Sequence, residues 1–427
     1  MSMKSLEGKK LLVISSDSND ISFVQAAQEM GVYVVCCDRY TNWDISPAKK
    51  LADEAWNMDY SDTVSVAAKC HENGIDGVIA GYSEDRVAAA CRISKAIGAP
   101  FYATEEQINI TRNKRKFKDL CKKNGVPVPI DYCINLPVSE AERNAIVYPI
   151  IVKPSDNGGR KGISVCLNAS ELDQALVYAQ EQSKNGQVIA EEYVTGTELS
   201  SIYTLANGEI SLSCLNDKYN SEDQGGVSRL CDLVLTPSRH YDLYMRTVDA
   251  GLRKLLKDIG ATNGVANFQM IVGENGIRVF EMGFRVNGND DFKVIRKNNE
   301  IDFLKMLIAY SLTGDMGDDL SKDNPCFKNY NSTLCMYLHS GTVGTVSYEA
   351  LTRKQEIDDI CILRQPGSII VEDETNRQKA LLIKFSGETL EEIEKTIHYI
   401  QRNTQILDIE GKDMTLKPFR TDRLFGK

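Results

Sequence analysis

The chain has 427 residues, enough for two to three domains with ample core. Charged residues make up 26% and apolar residues 42%, as in soluble globular proteins, and a net charge of −10 with a pI near 5.2 leaves no electrostatic footprint for nucleic acid. No apolar run is long enough for a signal peptide or a membrane span. The 12 cysteines are scattered, Cys36-Cys37 being the one close pair, no CxxC occurs and the 4 histidines are dispersed, so a zinc site is not expected and reduced thiols in the cytoplasm are.

Lys9 to Asp38 reads strand, loop, helix, strand, a βαβ unit of a parallel sheet. The loop Ser15 to Asp20 lacks GxGxxG, so no dinucleotide fingerprint is present, and Asp38 at the end of the second strand is expected to be structural rather than ribose-binding. A third strand is expected at Gly77–Ala80. It leads into Gly81-Tyr82-Ser83-Glu84-Asp85, placed where parallel sheets bind ligands and where Ser83 can also cap a helix.

Thr111 to Gly125 (TRNKRKFKDLCKKNG) reads as one basic amphipathic helix, most of its lysines forming a solvated face and those near its start in reach of a phosphate. Pro149 to Val165 reads as a strand ending in Lys153-Pro154, a glycine-rich loop and a second strand. Gly158, Gly159 and Gly162 free backbone amides to wrap anionic oxygens, with Lys153, Arg160 and Lys161 adding positive charge. A helix is expected near Ser170 to Lys184. Val188 to Glu198 is an extended segment able to offer backbone groups to an adenine edge, with Glu198 available for ribose hydroxyls. Strands follow at Leu199–Ala206 and Ile210–Leu215 around a turn at Asn207-Gly208. Asn216 to Arg229 reads as a mobile polar loop that closes over substrate, and a helix spans Tyr241 to Ile259.

Gly264 to Asn289 (GVANFQMIVGENGIRVFEMGFRVNGN) is a hairpin whose loop length decides its chemistry. A loop of Asn275-Gly276 sets Gln269 opposite Met282. A loop of Glu274-Asn275-Gly276 sets Gln269 opposite Glu281, with Gly276 in the left-handed position and Arg285 four residues on. In the second register two oxygen donors share a face, as a hard cation such as Mg2+ requires, beside an arginine suited to a developing anion. The acid Glu84 and the run Asp290-Asp291 are either contacts for a substrate ammonium or surface residues. A helix near Ile301–Leu312 and a Gly/Asp-rich linker at Thr313–Pro325 lead to an α+β module. Its strands are expected at Thr333–Leu338, Thr342–Ser347, Gln355–Cys361, Ser368–Glu372 and Ala380–Ser386, with a helix at Thr389–Asn403. The tail Lys412–Lys427 is read as solvated or dimer-contacting.

In this order the stretches resemble the ATP-grasp superfamily over nearly the whole chain, closest to the branch of biotin carboxylase, the carbamoyl-phosphate synthetase large chain, the purine-pathway ATP-grasp enzymes and L-amino-acid ligases. The resemblance implies an α/β and α+β architecture. A Rossmann-like (pre-ATP-grasp) domain with a parallel sheet would span 1–103, and a two-lobed ATP-grasp domain 104–312, with a flexible lobe at about 130–196. A small C-terminal α+β domain would span 313–427. It implies that Lys114 and Lys153 contact ATP phosphates and that Gly158, Gly159, Arg160, Lys161 and Gly162 cover the triphosphate. Glu191, Glu192 and Val194 would lie in the adenine-contacting hinge, Glu198 would bind ribose, Gln269 and Glu281 would hold Mg2+ (or Mn2+), and Arg285 would steady an acyl-phosphate. The family commonly reads E-x-N-x-R where this chain reads Glu281-Met282-Gly283-Phe284-Arg285, so a third metal contact is missing, with Asn287 or Asn289 the candidate replacements.

The function implied is an ATP-dependent carboxylate–amine ligase acting on small molecules through an acyl-phosphate, in the cytoplasm, with no nucleic acid or membrane partner and with a homodimer compatible. The alternatives are a carboxylase or formate-using enzyme of purine type, and a degenerate nucleotide-binding protein with a regulatory role, which Gly283 alone favours.

Overall fold

In the computed structural model, residues 6–156, 162–221, 230–317, 319–372 and 376–426 are described. Four short strands, β1 (Lys10–Ile14), β2 (Tyr33–Asp38), β3 (Glu54–Asn57) and β4 (Gly77–Ile79), form a parallel sheet in the order β3-β2-β1-β4. The near-continuous apolar runs of β1, β2 and β4 suit strands covered on both faces. Strand β3 is absent from the sequence reading, because EAWN is too short and too polar to register as a strand, yet Trp56 is buried under it. The strand order reverses between β1 and β4, so the loops 15–20 and 81–83 open on the carboxyl edge where such sheets take ligands. Asp38 is structural, as expected: it is buried, pairs with the buried Lys49 at 2.6 Å and accepts from Ser46 at 2.9 Å.

The basic segment after this sheet is two helices, Glu105–Arg112 and Lys114–Lys123, instead of one. Asn113 leaves helical geometry (ψ 105°) and its side chain accepts from the amides of Arg115 and Lys116. Asparagine favours such caps because it competes with the helix interior for backbone donors. The break makes Lys114 the first residue of its helix. Next, β5 (Ile150–Pro154), β6 (Ser164–Cys166) and β7 (Val188–Glu192) form a small antiparallel sheet in the order β6-β5-β7. Helix Leu172–Gln182 covers it through Leu172, Ala175, Leu176 and Ala179, which pack with Ile150, Val152 and Val188.

The strands β8 (Thr197–Ala206), β9 (Glu209–Asn220), β10 (Cys231–Thr236), β11 (Gly264–Gly273), β12 (Gly276–Gly283) and β13 (Tyr330–Tyr337) come next. They are followed by β14 (Gly341–Ser347), β15 (Ile357–Ile362), β16 (Ile369–Ile370), β17 (Lys379–Gly387) and β18 (Gln405–Asp408). The turn Asn207-Gly208 has positive φ at both residues (51° and 86°), the backbone that favours Asn-Gly between twisted strands. The first five residues of the stretch read as a mobile loop, Asn216–Asn220, belong to strand β9; residues 222–229 lie outside the described residues.

One antiparallel sheet of eight strands runs β12-β11-β8-β9-β10-β13-β17-β15, so strands from beyond residue 313 continue the central sheet. The remaining strands form a three-stranded sheet, β16-β14-β18, beside helix Leu390–Asn403. Helix Phe303–Thr313 packs on the parallel sheet so closely that a Cβ on Gly77 would stand 2.3 Å from the Ser311 carbonyl oxygen. Backbone cannot yield there as a flexible side chain would. Gly77→Ala should therefore lower unfolding stability by about 1–3 kcal/mol in urea titration; an unchanged midpoint would contradict this packing.

Candidate functional site

The hairpin β11–β12 carries the first part of the site. Pairing continues to Gly273 opposite Gly276, so Glu274 and Asn275 alone make the turn. Neither loop weighed from the sequence is therefore the one formed. Uninterrupted, this register would set Gln269 against Phe280. Instead it shifts between Gln269 and Met270, leaving Phe280 as an extra residue, and Gln269 stands opposite Glu281. A β-bulge thus produces the shared face that a three-residue loop had been expected to supply. The core shows the same switch: Ile277 and Val279 are buried before the bulge, Met282, Phe284 and Val286 after it. A one-residue shift moves every following side chain to the other face.

Beyond Glu281, Gly283 lies opposite Asn267, on the face of Gln269 and Glu281. A Cβ on Gly283 would meet the Asn267 amide at 3.0 Å, and that amide donates to the Arg285 carbonyl at 2.8 Å. The missing asparagine of E-x-N-x-R is thus matched by an asparagine on the neighbouring strand, which occupies the room that Gly283 leaves. Of the replacements considered from sequence, the Asn287 side chain is engaged in its own loop. Asn287 donates to Asp291 at 2.6 Å and accepts from the Asn289 amide at 3.3 Å. Arg285 donates from Nε to Glu84 at 2.6 Å and from Nη1 to the Val286 carbonyl at 3.0 Å. Glu84 begins helix Glu84–Ile97 on the parallel sheet, so this pair joins the reversal-point crevice to the hairpin. Glu84 is thereby an arginine partner. Asp290 and Asp291 are buried, against the surface reading, and burial raises the Asp291 carboxyl above its ordinary range.

The cations converge from two elements. Lys114, at the start of its helix, has its amide bonded to the Ser155 carbonyl at 3.3 Å, which ties it to the end of β5. Lys153 on β5 is buried, pairs with Glu191 on β7 and lies in electrostatic reach of Lys114, Lys118 and Glu281. Burial holds its ammonium well below the ordinary lysine range. Lys118, which the sequence reading left on a solvated face, is 1% exposed; it pairs with Glu191 and sits 3.5 Å from Asp131. Burial pulls its pKa down to about 8. Burial also pushes Asp131 upward, but Lys118 and the Cys133 amide outweigh it and keep this carboxyl low. Two lysines and two carboxylates form a closed buried quartet. Its hidden signal was Lys118 lying between the buried Phe117 and Cys121 on one side of the helix.

On β7, the Glu192 amide donates to the Ile130 carbonyl at 2.8 Å, and the Tyr193 amide donates to the Pro149 carbonyl at 3.2 Å. Val194 touches the turn of the hairpin: a Cβ on Gly273 would meet its Cγ1 at 2.9 Å. Glu198 on β8 pairs with Lys218 and accepts from Asn220 at 2.7 Å. Of the glycine-rich loop, Gly158, Gly159, Arg160 and Lys161 lie outside the described residues; Gly162 has φ 78°. The structure therefore gathers Lys114, Lys153, Glu191 and Glu281 around one charge cluster. Gln269 faces Glu281, and Glu198 lies on the same sheet face through the pairs Gln269–Ser200 and Ile271–Glu198. Two facing oxygen donors, with no third acidic, His or Cys ligand gathered among the described residues, fit a hard cation that takes the rest of its shell from phosphate and water.

The cross-strand exchange is directly testable. Gly283→Asn should crowd Asn267 and weaken Mg2+-dependent nucleotide binding several-fold, and adding Asn267→Gly should restore it. Equal binding by the single and double variants in calorimetry would contradict the exchange.

Residues 132–222 match the family model described as D-ala D-ala ligase C-terminus. Among curated proteins, a formate-dependent phosphoribosylglycinamide formyltransferase of Prochlorococcus marinus (strain NATL2A) is 28% identical over 193 residues, 44% of this chain and 48% of that protein. The chain thus spans about half the length of the curated relatives it matches. Among solved structures, the L-amino acid ligase from Bacillus licheniformis superposes with a TM-score of 0.75 at 16% identity, covering 94% of this chain and 99% of that one. The biotin carboxylase domain of Hydrogenobacter thermophilus 2-oxoglutarate carboxylase, a complex with MgADP and bicarbonate, gives 0.78 at 18% identity, covering 93% and 90%. No helix among the described residues is long and apolar enough to cross a membrane. In fold the chain is similar to these solved structures, and its residues 132–222 match the ligase family model.

Proposed function

We propose that the chain is an ADP-forming ligase that activates a small carboxylate with ATP and transfers the acyl group to an amine. The observation that carries this reading is the bulged pairing of Gln269 with Glu281, beside Arg285 and the Lys114–Lys153 cluster. The carboxylate oxygen attacks the γ-phosphorus and ADP leaves; the amine then attacks the acyl carbon, phosphate leaves and the amine gives up a proton. Lys114 and Lys153 would hold the phosphates, Glu198 the ribose, and Glu191 to Val194 the adenine edge, with Gly158, Gly159 and Lys161 above the triphosphate. Gln269 and Glu281 would hold Mg2+ or Mn2+, which when bound neutralises charge on the transferring phosphoryl group. Arg285, oriented by Glu84, would steady the acyl-phosphate. ATP must draw Lys153 off Glu191, and Lys118 remains to neutralise that carboxylate.

The working units we take are 1–103, 104–312 and 313–427, in a cytoplasmic protein that can act as a homodimer on small molecules. A formate-using reading is the second one, favoured by the formyltransferase relatives; in it formate replaces the larger carboxylate and the chemistry is unchanged.

The test is ADP and phosphate release with Mg2+ over a matrix of carboxylates, formate included, and amines, each also supplied alone. Release that needs both partners supports the ligase; release by no pair, with ATP bound, contradicts it. Glu281→Gln and Lys153→Met should each lower turnover roughly 100-fold or more. Near-normal turnover in either variant would remove that residue from the phosphoryl-transfer site.

A further inference from the structure

The face of the eight-stranded sheet that carries Gln269 and Glu281 continues well beyond the nucleotide-side strands. Cross-strand pairs place Glu198 opposite Lys218, Lys218 opposite Val234, Val234 opposite Thr333 and Thr333 opposite Lys384. The shift between Met336 and Tyr337 sets Lys379 against Tyr337. Two lysines of β17 therefore point to the same side as the candidate metal pair, because opposite residues of antiparallel strands share a face.

Both are buried, Lys379 at 4% and Lys384 at 2% exposure. Buried lysines normally have a carboxylate partner. Among the described residues, neither has one within ion-pair distance. Lys384 donates to the Asn289 carbonyl at 2.7 Å, and Lys379 stands 5.7 Å from the Tyr337 ring centre. Three acids near them are engaged elsewhere, Asp359 with Lys293 at 2.8 Å, Glu198 with Lys218, and Asp291 with the Asn287 amide at 2.6 Å, while Asp232 also lies in electrostatic reach of Cys335. Both lie on the sheet face that carries the Cys335 thiol, one on either side of Leu382, which stands opposite Cys335. Asn289 links this point to the reaction centre. It lies four residues after Arg285, no more than about 14 Å of extended chain.

We infer that Lys379 and Lys384 line an oxyanion subsite on this sheet face, and that one of the two substrates carries an anionic group, a phosphate ester or a second carboxylate, which docks there. The inference rests on the ligase reading for its link to substrate; the anion site stands on the two lysines. The distance along the chain from Arg285 suits a small metabolite that bears its reacting group at one end and its charge at the other.

Inorganic phosphate and glutarate serve as probes in calorimetry on the full chain, with saturating MgADP to fill the nucleotide site. Wild type should bind at least one probe, and Lys379→Met and Lys384→Met should each weaken it tenfold or more with MgADP affinity unchanged, while Lys379→Arg retains it. Preference for phosphate identifies a phosphorylated substrate, preference for glutarate a dicarboxylate. A crystal of wild type soaked in the bound probe should show it between the two Nζ atoms, a readout independent of any variant's folding. No probe bound to wild type, full binding by the Met variants, or density elsewhere overturns the subsite. Failure of MgADP to bind overturns the ligase reading instead, and the probes are then titrated without nucleotide.

Discussion

A single extra residue governs the candidate site. Phe280 interrupts the β11–β12 pairing, and the interruption brings Glu281 round to Gln269. Without it, the two-residue turn at Glu274-Asn275 would put Phe280 opposite Gln269 and send the carboxylate into the core. The same shift aligns Gly283 with Asn267 and delivers Arg285 to Glu84. Bulges re-aim side chains at functional sites because the pleat permits no smaller adjustment. Core packing holds this one in place. Ile277 and Val279 before it, and Met282, Phe284 and Val286 after it, are all buried, so slippage would expose apolar side chains on one side or the other.

The second constraint is charge. Lys118, Lys153, Glu191 and Asp131 sit together out of water. Removing one member of such a set leaves an uncompensated charge, which costs more than the pairing contributes. In the proposed site this arrangement would allow an exchange of partners, Glu191 keeping Lys118 if a phosphate took Lys153. Across the sheet, Lys379 and Lys384 have no carboxylate within ion-pair distance among the described residues, and the proposed anion subsite rests on that contrast.

Much of the architecture was legible because it is periodic or punctuated. The βαβ start, the strand IIVKP, the turn at Asn207-Gly208 and the hairpin all follow from apolar runs and turn residues. What escaped was whatever depended on a partner distant in sequence. The strand EAWN forms only because β2 lies beside it. Helix Glu105–Arg112 and its successor separate at Asn113 through a cap that a helical pattern hides. Lys118 reads as one more surface lysine until β7 brings Glu191 to it. The bulge did leave a trace: the apolar positions change from odd (277, 279) to even (282, 284, 286), which a hairpin without an extra residue cannot satisfy. The continuation of the central sheet into β13, β17 and β15 left no such trace, since strand order across a sheet is not written in any local pattern.

The most direct test of this account is the Mg2+ dependence of ADP binding, measured by calorimetry for the wild type and Glu281→Gln. If Gln269 and Glu281 hold the ion, wild type binds ADP more tightly with Mg2+, and the variant loses that increment while keeping its metal-free affinity. An increment of the same size in both proteins would place the metal elsewhere and contradict the role assigned to the bulged hairpin.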